Sequence, residues 1–339
     1  MNEWVLFLVH KSVLIMVFFA VTLGVAAYAT LAERKFAAFF QDRIGPDRAG
    51  KFGLLQPLAD GVKFFFKEDF IPQQADRFLF VLGPALSMAT ACMSGAVIPW
   101  AADWVGDGIR IPMQIADLPM GVLVVFGVVS LGVYGIMIGG WASNNKYSVL
   151  SAIRASSQMV SYELAMGLSL IALVMTAGTM SIREIVLQQH TVWFVWLQPL
   201  GFLIFMICSF AEANRTPFDL PECETELIGG YHTEYSSMKL GFYLFAEYIN
   251  MFVASTVMAT LFFGGYQIPF LSMIPNPWVT LVSLMVLFTK IFFFMFVFIW
   301  VRWTVPRFRY DQLMHLGWVV LLPLSILNLA ITAVMVVLT

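Results

Sequence analysis

Eight runs of roughly twenty or more apolar residues recur along the chain, at 4–32, 78–99, 118–141, 156–178, 193–212, 240–264, 279–301 and 315–338. An α-helix rises about 1.5 Å per residue, so about twenty residues cross a hydrocarbon core about 30 Å thick. Backbone amides cannot stay unpaired in lipid, and helices are the way runs of this length satisfy them. The chain is therefore expected to be all-α, a polytopic membrane protein of eight transmembrane helices forming one membrane domain over 1–339. Charged residues make up only 12% of it, about half the soluble norm, and no polar stretch is long enough for a second, soluble domain. The first run is expected to be retained as a span. Glu3 precedes it, Arg34 and Lys35 follow it, and it exceeds the h-region of a secretory signal, about 7 to 15 residues.

Orientation follows from Lys and Arg. With the N-terminus outside, the inner segments hold fifteen of the nineteen, eight of them between Arg34 and Arg77. The outer loops keep Arg110 and Arg183, so the positive-inside rule is satisfied. Cys92, Cys208 and Cys223 stand far apart with no CxxC spacing, and His10, His190, His232 and His315 form no pair at the bilayer centre. No resident metal, haem or other electron carrier is expected, and no nucleic-acid partner.

Residues 52–70, FGLLQPLADGVKFFFKEDF, are too interrupted by charge to span. Gln56, Asp60, Lys63 and Lys67 form one polar stripe of a helix, while Leu55, Leu58, Val62, Phe65 and Phe66 cover much of the rest. That pattern suits an amphipathic helix lying in the interface plane, with Pro57 tolerated in its first turn. It serves either as a surface anchor or as one wall of a lateral entrance for an apolar molecule with a polar head.

The loop 213–239, expected on the cytoplasmic side, contains RTPFDLPECETE, with Asp219, Glu222, Glu224 and Glu226 within eight positions. A helix starting near Pro221 would place Glu222 and Glu224 in its first turn, where the helix dipole favours anions, and this accounts for two of the four. Glu234 follows in the same loop. Behind it, Glu163, Glu212 and Glu247 lie in or at the ends of spans four, five and six, and Lys290 near the middle of span seven. With spans four and six starting at 156 and 240, Glu163 and Glu247 each sit seven residues in, at one depth. Ionisable groups in a membrane cost several kcal/mol and mark ion or proton pathways. The bland alternative is a buried ion pair such as Glu247 with Lys290. A whole row of carboxylates instead points to a proton relay, since crowded carboxylates raise one another's pKa.

The segments ERKFAAFFQDRIGP, GLLQPLADGVKFFFKE, SQMVSYE, AEANRTPFDLPECETELIGGYHTEYSSMKLGFYLFAEY and PRFRYDQLMHLGW resemble, in order and over nearly the whole chain, the H-subunit family of respiratory NADH:quinone oxidoreductase, complex I. The mitochondrial counterpart is subunit 1. The family usually has Gly or Ala where Cys223 stands. The resemblance implies a membrane subunit of the bacterial inner membrane that contacts other membrane-arm subunits and the hydrophilic quinone-site subunits. It implies a quinone, ubiquinone or menaquinone, as substrate, with flavin and iron-sulfur clusters held by partners. Carried over by motif, Arg43, Gln56, Asp60 and Lys63 would line or support the quinone tunnel, and Arg215, Phe218 and Asp219 would belong to the loop facing it. Glu163, Glu212, Glu222, Glu224, Glu226, Glu234 and Glu247 match the family's acidic path toward the antiporter-like arm. Rival readings are the homologous subunit of a membrane-bound hydrogenase, a secondary transporter and a passive anchor. No segment in the first half mirrors the acidic loop, which disfavours a transporter of inverted repeats.

Overall fold

The computed structural model describes residues 3–106, 109–220, 228–268, 275 and 278–338. The protein is an all-α polytopic membrane protein. Its first three helices are α1 (Glu3–Phe40), the short α2 (Gln56–Phe66) and α3 (Arg77–Ser94). After α4 (Gly121–Ala142) and α5 (Lys146–Ala177) come α6 (Ile182–Gln188), α7 (Phe194–Leu197) and α8 (Pro199–Glu212). The chain continues with α9 (Ser237–Phe262), α10 (Trp278–Thr304), α11 (Tyr310–His315), a π-helical turn over Leu316–Leu321, and α12 (Leu322–Leu338). Among the described residues, seven helical stretches are long and apolar enough to cross a membrane, and α8 is a shorter apolar helix.

Several boundaries differ from those the apolar runs suggest. The run 193–212 is not one helix: α7 and α8 meet at Gln198, whose φ/ψ of −135°/61° is not helical. Pro199 explains the break, because its ring disfavours the helical conformation in the residue before it. The first span does not end at 32; α1 continues unbroken to Phe40 and carries Glu33, Arg34 and Lys35 within it. The fourth begins ten residues early, at Lys146, where the Asn145 side chain accepts from the Tyr147 amide as an N-cap. It ends at Gly178, whose left-handed φ of 67° suits glycine. One short hairpin falls between the apolar runs: Trp104–Gly106 pairs antiparallel with Ile109–Ile111, and the Asp107-Gly108 sequence separating them is a dipeptide that favours hairpin turns.

α9 is the central helix, packed against α1, α3 and α10. The crossing of α3, α4 and α9 is held close by glycine. The Tyr243 hydroxyl donates to the Gly135 carbonyl at 3.0 Å, and a Cβ at Gly139 would overlap that hydroxyl. Beside it, Tyr235 stacks on Phe80 at 4.1 Å and lies within 3.2 Å of the Phe80 and Gly139 carbonyl oxygens. Burial pushes the Tyr235 hydroxyl up to about 12, so it stays protonated at neutral pH.

Candidate functional site

The opening of the acidic loop is buried, not solvated. Residues 213–220 are all shielded, and several of their polar groups pair inside the protein. The fully buried Gln158 of α5 donates to the Ala211 and Phe218 carbonyls, both at 3.0 Å. Phe218 packs edge-on against Tyr162 at 5.3 Å and against Phe308 at 5.6 Å, so its ring is a core element of the loop. Asp219, 6% exposed, pairs with Arg307 at 3.1 Å. A buried loop has to pair its backbone internally, and the amides of Ala213, Asn214, Arg215 and Phe218 donate to carbonyls within it or in the last turn of α8.

Arg215, 4% exposed, extends from this loop to a centre that no sequence pattern singles out. Its guanidinium pairs with Glu33 of α1 at 3.2 Å and lies over the Tyr248 ring of α9 at 4.2 Å. The Tyr248 hydroxyl donates to the same Glu33 oxygen at 2.9 Å, and Arg302 of α10 pairs with the other. Glu33 is thus a buried carboxylate held by two arginines and a phenol.

Tyr248 also faces a cleft of about 210 Å³ between α1, α2 and α9. Its polar lining is Thr30, Arg34, Asp60, Lys63 and Tyr248; its apolar lining includes Phe64 and Phe245. Asp60 pairs with Arg34 at 2.9 Å and accepts from Gln56 at 3.0 Å, which turns the polar stripe of α2 inward. The opposite face stands off the protein, with Phe65 70% and Phe66 87% exposed. The amphipathic segment is therefore both a surface helix and a cleft wall. It is shorter than the expected 52–70, and Lys67 lies just past its end. Arg43 is exposed beyond α1, bonded to Gln41 at 2.7 Å, and does not line the cleft.

The neighbouring residue on α9, Glu247, faces a second cavity shared with Glu212, Asn214, Tyr231, Tyr243 and Asn250. Tyr231 donates to Glu247 at 3.4 Å, and Arg215 is near enough for its charge to attract Glu247. Glu212, 6% exposed, has no hydrogen-bond partner on either oxygen among the described residues. Glu163 is its electrostatic neighbour and is bonded to Ser130. Met159 lines this cavity with Glu247, and Met166 lines the next with Asn250, so Glu163 falls at the level between them. Both helices begin earlier than the apolar runs suggest, at Lys146 and Ser237.

Glu234 lies farther along the loop, accepting from Asn145 at 2.6 Å. Glu222, Glu224 and Glu226 lie outside the described residues. Lys290 does not pair with Glu247. Its ammonium donates to the carbonyls of Phe263, Gly265 and Gln267 at 2.7, 2.7 and 2.9 Å, using all three protons, and lies over Trp193 at 5.0 Å. Those carbonyls follow the C-terminus of α9, fifteen residues beyond Glu247 or about 22 Å along the helix. The pairing could not be seen in sequence because the acceptors are backbone.

The family model described as NADH dehydrogenase matches residues 12–333. The chain belongs to this family. It is 62% identical over 335 residues to the NADH-quinone oxidoreductase H subunit numbered 1 in Cytophaga hutchinsonii, covering 98% of each chain. It is also 62% identical to the NADH-quinone oxidoreductase H subunit of Flavobacterium johnsoniae, covering 97% of this chain and 96% of that one. The H subunit numbered 2 in Geobacter sulfurreducens is 49% identical over 324 residues, covering 96% of this chain and 95% of that one. The family resemblance read from the motifs is borne out across nearly the whole chain.

Proposed function

We propose that this chain is the membrane subunit of a proton-pumping NADH:quinone oxidoreductase, forming part of the quinone tunnel and coupling quinone reduction to proton movement. The observation that carries this is the division made by α9. Tyr248 faces the α2 cleft and the Arg215–Glu33 centre, while the adjacent Glu247 faces the cavity that holds Glu212. Arg215, paired with Glu33, also lies within electrostatic reach of Glu247, which gives a change of charge on one side a route to the other. The relatives, each named as the H component of an NADH-quinone oxidoreductase, support this reading over a hydrogenase subunit, a transporter or an anchor.

In this reading a quinone enters from the lipid through the cleft, its tail against Phe64 and Phe245 and its polar head passing Arg34, Asp60 and Lys63, with Gln56 orienting Asp60. Partner subunits supply the electrons and the rest of the headgroup site, and the loop carrying Arg215, Phe218 and Asp219 closes the tunnel's inner side. Arg43 contributes to that surface from outside the cleft. Reduction to quinol takes up two protons and passes through negatively charged states. At an effective dielectric of about 20, a charge appearing about 4 Å away changes a carboxyl group's energy by about 4 kcal/mol, enough to move a proton. Glu247, Glu212 and Glu163, with Glu234, Glu222, Glu224 and Glu226 in the loop, form the responding relay. Lys290 takes a structural part, tying α10 to the end of α9. The protein sits in the bacterial inner membrane with its N-terminus outside.

The test is inhibitor-sensitive quinone reduction by the assembled complex in proteoliposomes, with lumen pH followed in parallel. Lys63→Ala and Asp60→Asn should raise the quinone KM with assembly intact. Unchanged KM in both would remove the cleft from the quinone path.

A further inference from the structure

The cavity that holds Glu212 does not stop there. Along one face of α9, Tyr243, Ala246, Glu247 and Asn250 line the polar cavity, and Asn250, Val253, Ala254, Val257 and Leu261 line a second one directly above. Glu212, Ala213 and Asn250 are common to both walls. The two spaces therefore follow a single helix face for eighteen residues, about 27 Å at the helical rise. They differ in chemistry. Seven of the twelve residues lining the lower space are polar, whereas thirteen of the sixteen lining the upper are apolar. The upper space has a volume of about 50 Å³, room for a few waters, but beyond Ser209, Glu212 and Asn250 at its lower edge its wall is apolar and gives them nothing to bond, and apolar cavities stay dry. It ends at Val122, Ile182 and Leu261, at the end of the bundle opposite the 228–236 segment. Glu212 marks the boundary, buried and with both oxygens without partners among the described residues.

We propose that the apolar space above Glu212, walled by Val253 and Val257 of α9 with Val125 and Leu170 opposite, is the insulating barrier that stops protons held at Glu212 from crossing to the far side of the membrane. Proton transfer needs a continuous chain of hydrogen-bonding groups, and Glu212 is the last titratable one before the gap; the Ser209 hydroxyl beyond it is turned back onto the Phe205 carbonyl at 2.8 Å. A relay carrying protons in the membrane must be closed along every line but its working one, or the gradient it builds drains back through it. The barrier rests on the relay reading and adds to it a direction: protons at Glu212 pass sideways or back, not onward along α9.

The experiment uses the intact complex in proteoliposomes and reads passive proton entry under an imposed potassium diffusion potential, without quinone or donor. Val253→Thr with Val257→Thr keeps side-chain size while adding two hydroxyls that can hold water. Val253→Ile controls for packing alone. Passive proton conductance should rise about tenfold in the double Thr variant, the effect of one added hydrogen bond along the path, and stay at its wild-type level in the Ile variant. Adding Glu212→Gln to the double Thr variant should return conductance to its wild-type level. Val253→Asn provides a stronger polar change at one site, should Thr hydroxyls fold back onto the helix backbone. Unchanged conductance in assembled Thr and Asn variants would overturn the barrier while leaving the relay to be judged by Glu212→Gln pumping. A leak that persists with Glu212→Gln would overturn the assignment of Glu212 as its boundary.

Discussion

Glu33 and Glu212 are equally buried, each 6% exposed, yet their surroundings are opposite. Glu33 is held on both oxygens by Arg215, Arg302 and Tyr248. Glu212 has no partner on either oxygen among the described residues and borders two cavities. A carboxylate fixed by two guanidinium groups and a phenol ties α1, α9, α10 and the loop together and serves as an anchor. One with free oxygens beside polar space can accept and release a proton without dismantling its neighbourhood. Burial alone therefore does not mark a proton carrier; the state of the partners does.

The comparison breaks most visibly at Glu33. Replacing it with Gln strands buried Arg215 with its charge uncompensated, a loss of about 3 to 5 kcal/mol, and the assembled complex should fall in yield and melting temperature. Lys290 sharpens the same contrast with a cation. Lys290→Met removes three charge-assisted bonds to carbonyls and should cost about 3 kcal/mol in thermal unfolding, while quinone turnover per assembled complex stays at its wild-type level. Gly139→Ala forces the Tyr243 hydroxyl off the α3–α4 crossing and should destabilise by about 1 to 3 kcal/mol, read in the same melts. Glu212→Gln should leave the melting temperature at its wild-type value, since the amide is nearly isosteric and breaks no bond to a described residue.

How much of this the sequence disclosed depended on the kind of residue. Glu163, Glu212 and Glu247 were visible because a charge inside an apolar run is costly. The polar stripe of α2 was visible in its helical spacing, and Asp60 does turn inward to Arg34. Glu33 was missed because the apolar run stops at 32, whereas the helix does not. Tyr231, Tyr243 and Tyr248 were silent because a tyrosine in an apolar span carries no signal until its hydroxyl finds a partner. Lys290 was visible as a charge within a span but its partners were not, since its three acceptors are main-chain oxygens that no side-chain pattern reports. The break at Gln198 was legible in principle from Pro199 alone.

The most direct test of the account is Glu212→Gln in the intact complex, with quinone reduction, lumen acidification and melting temperature measured on one preparation. The account predicts an unchanged melt and acidification lowered by about 10²-fold, the scale of losing a positioned proton-transfer group. A variant that assembles and melts normally and still acidifies the lumen at the wild-type rate would contradict it.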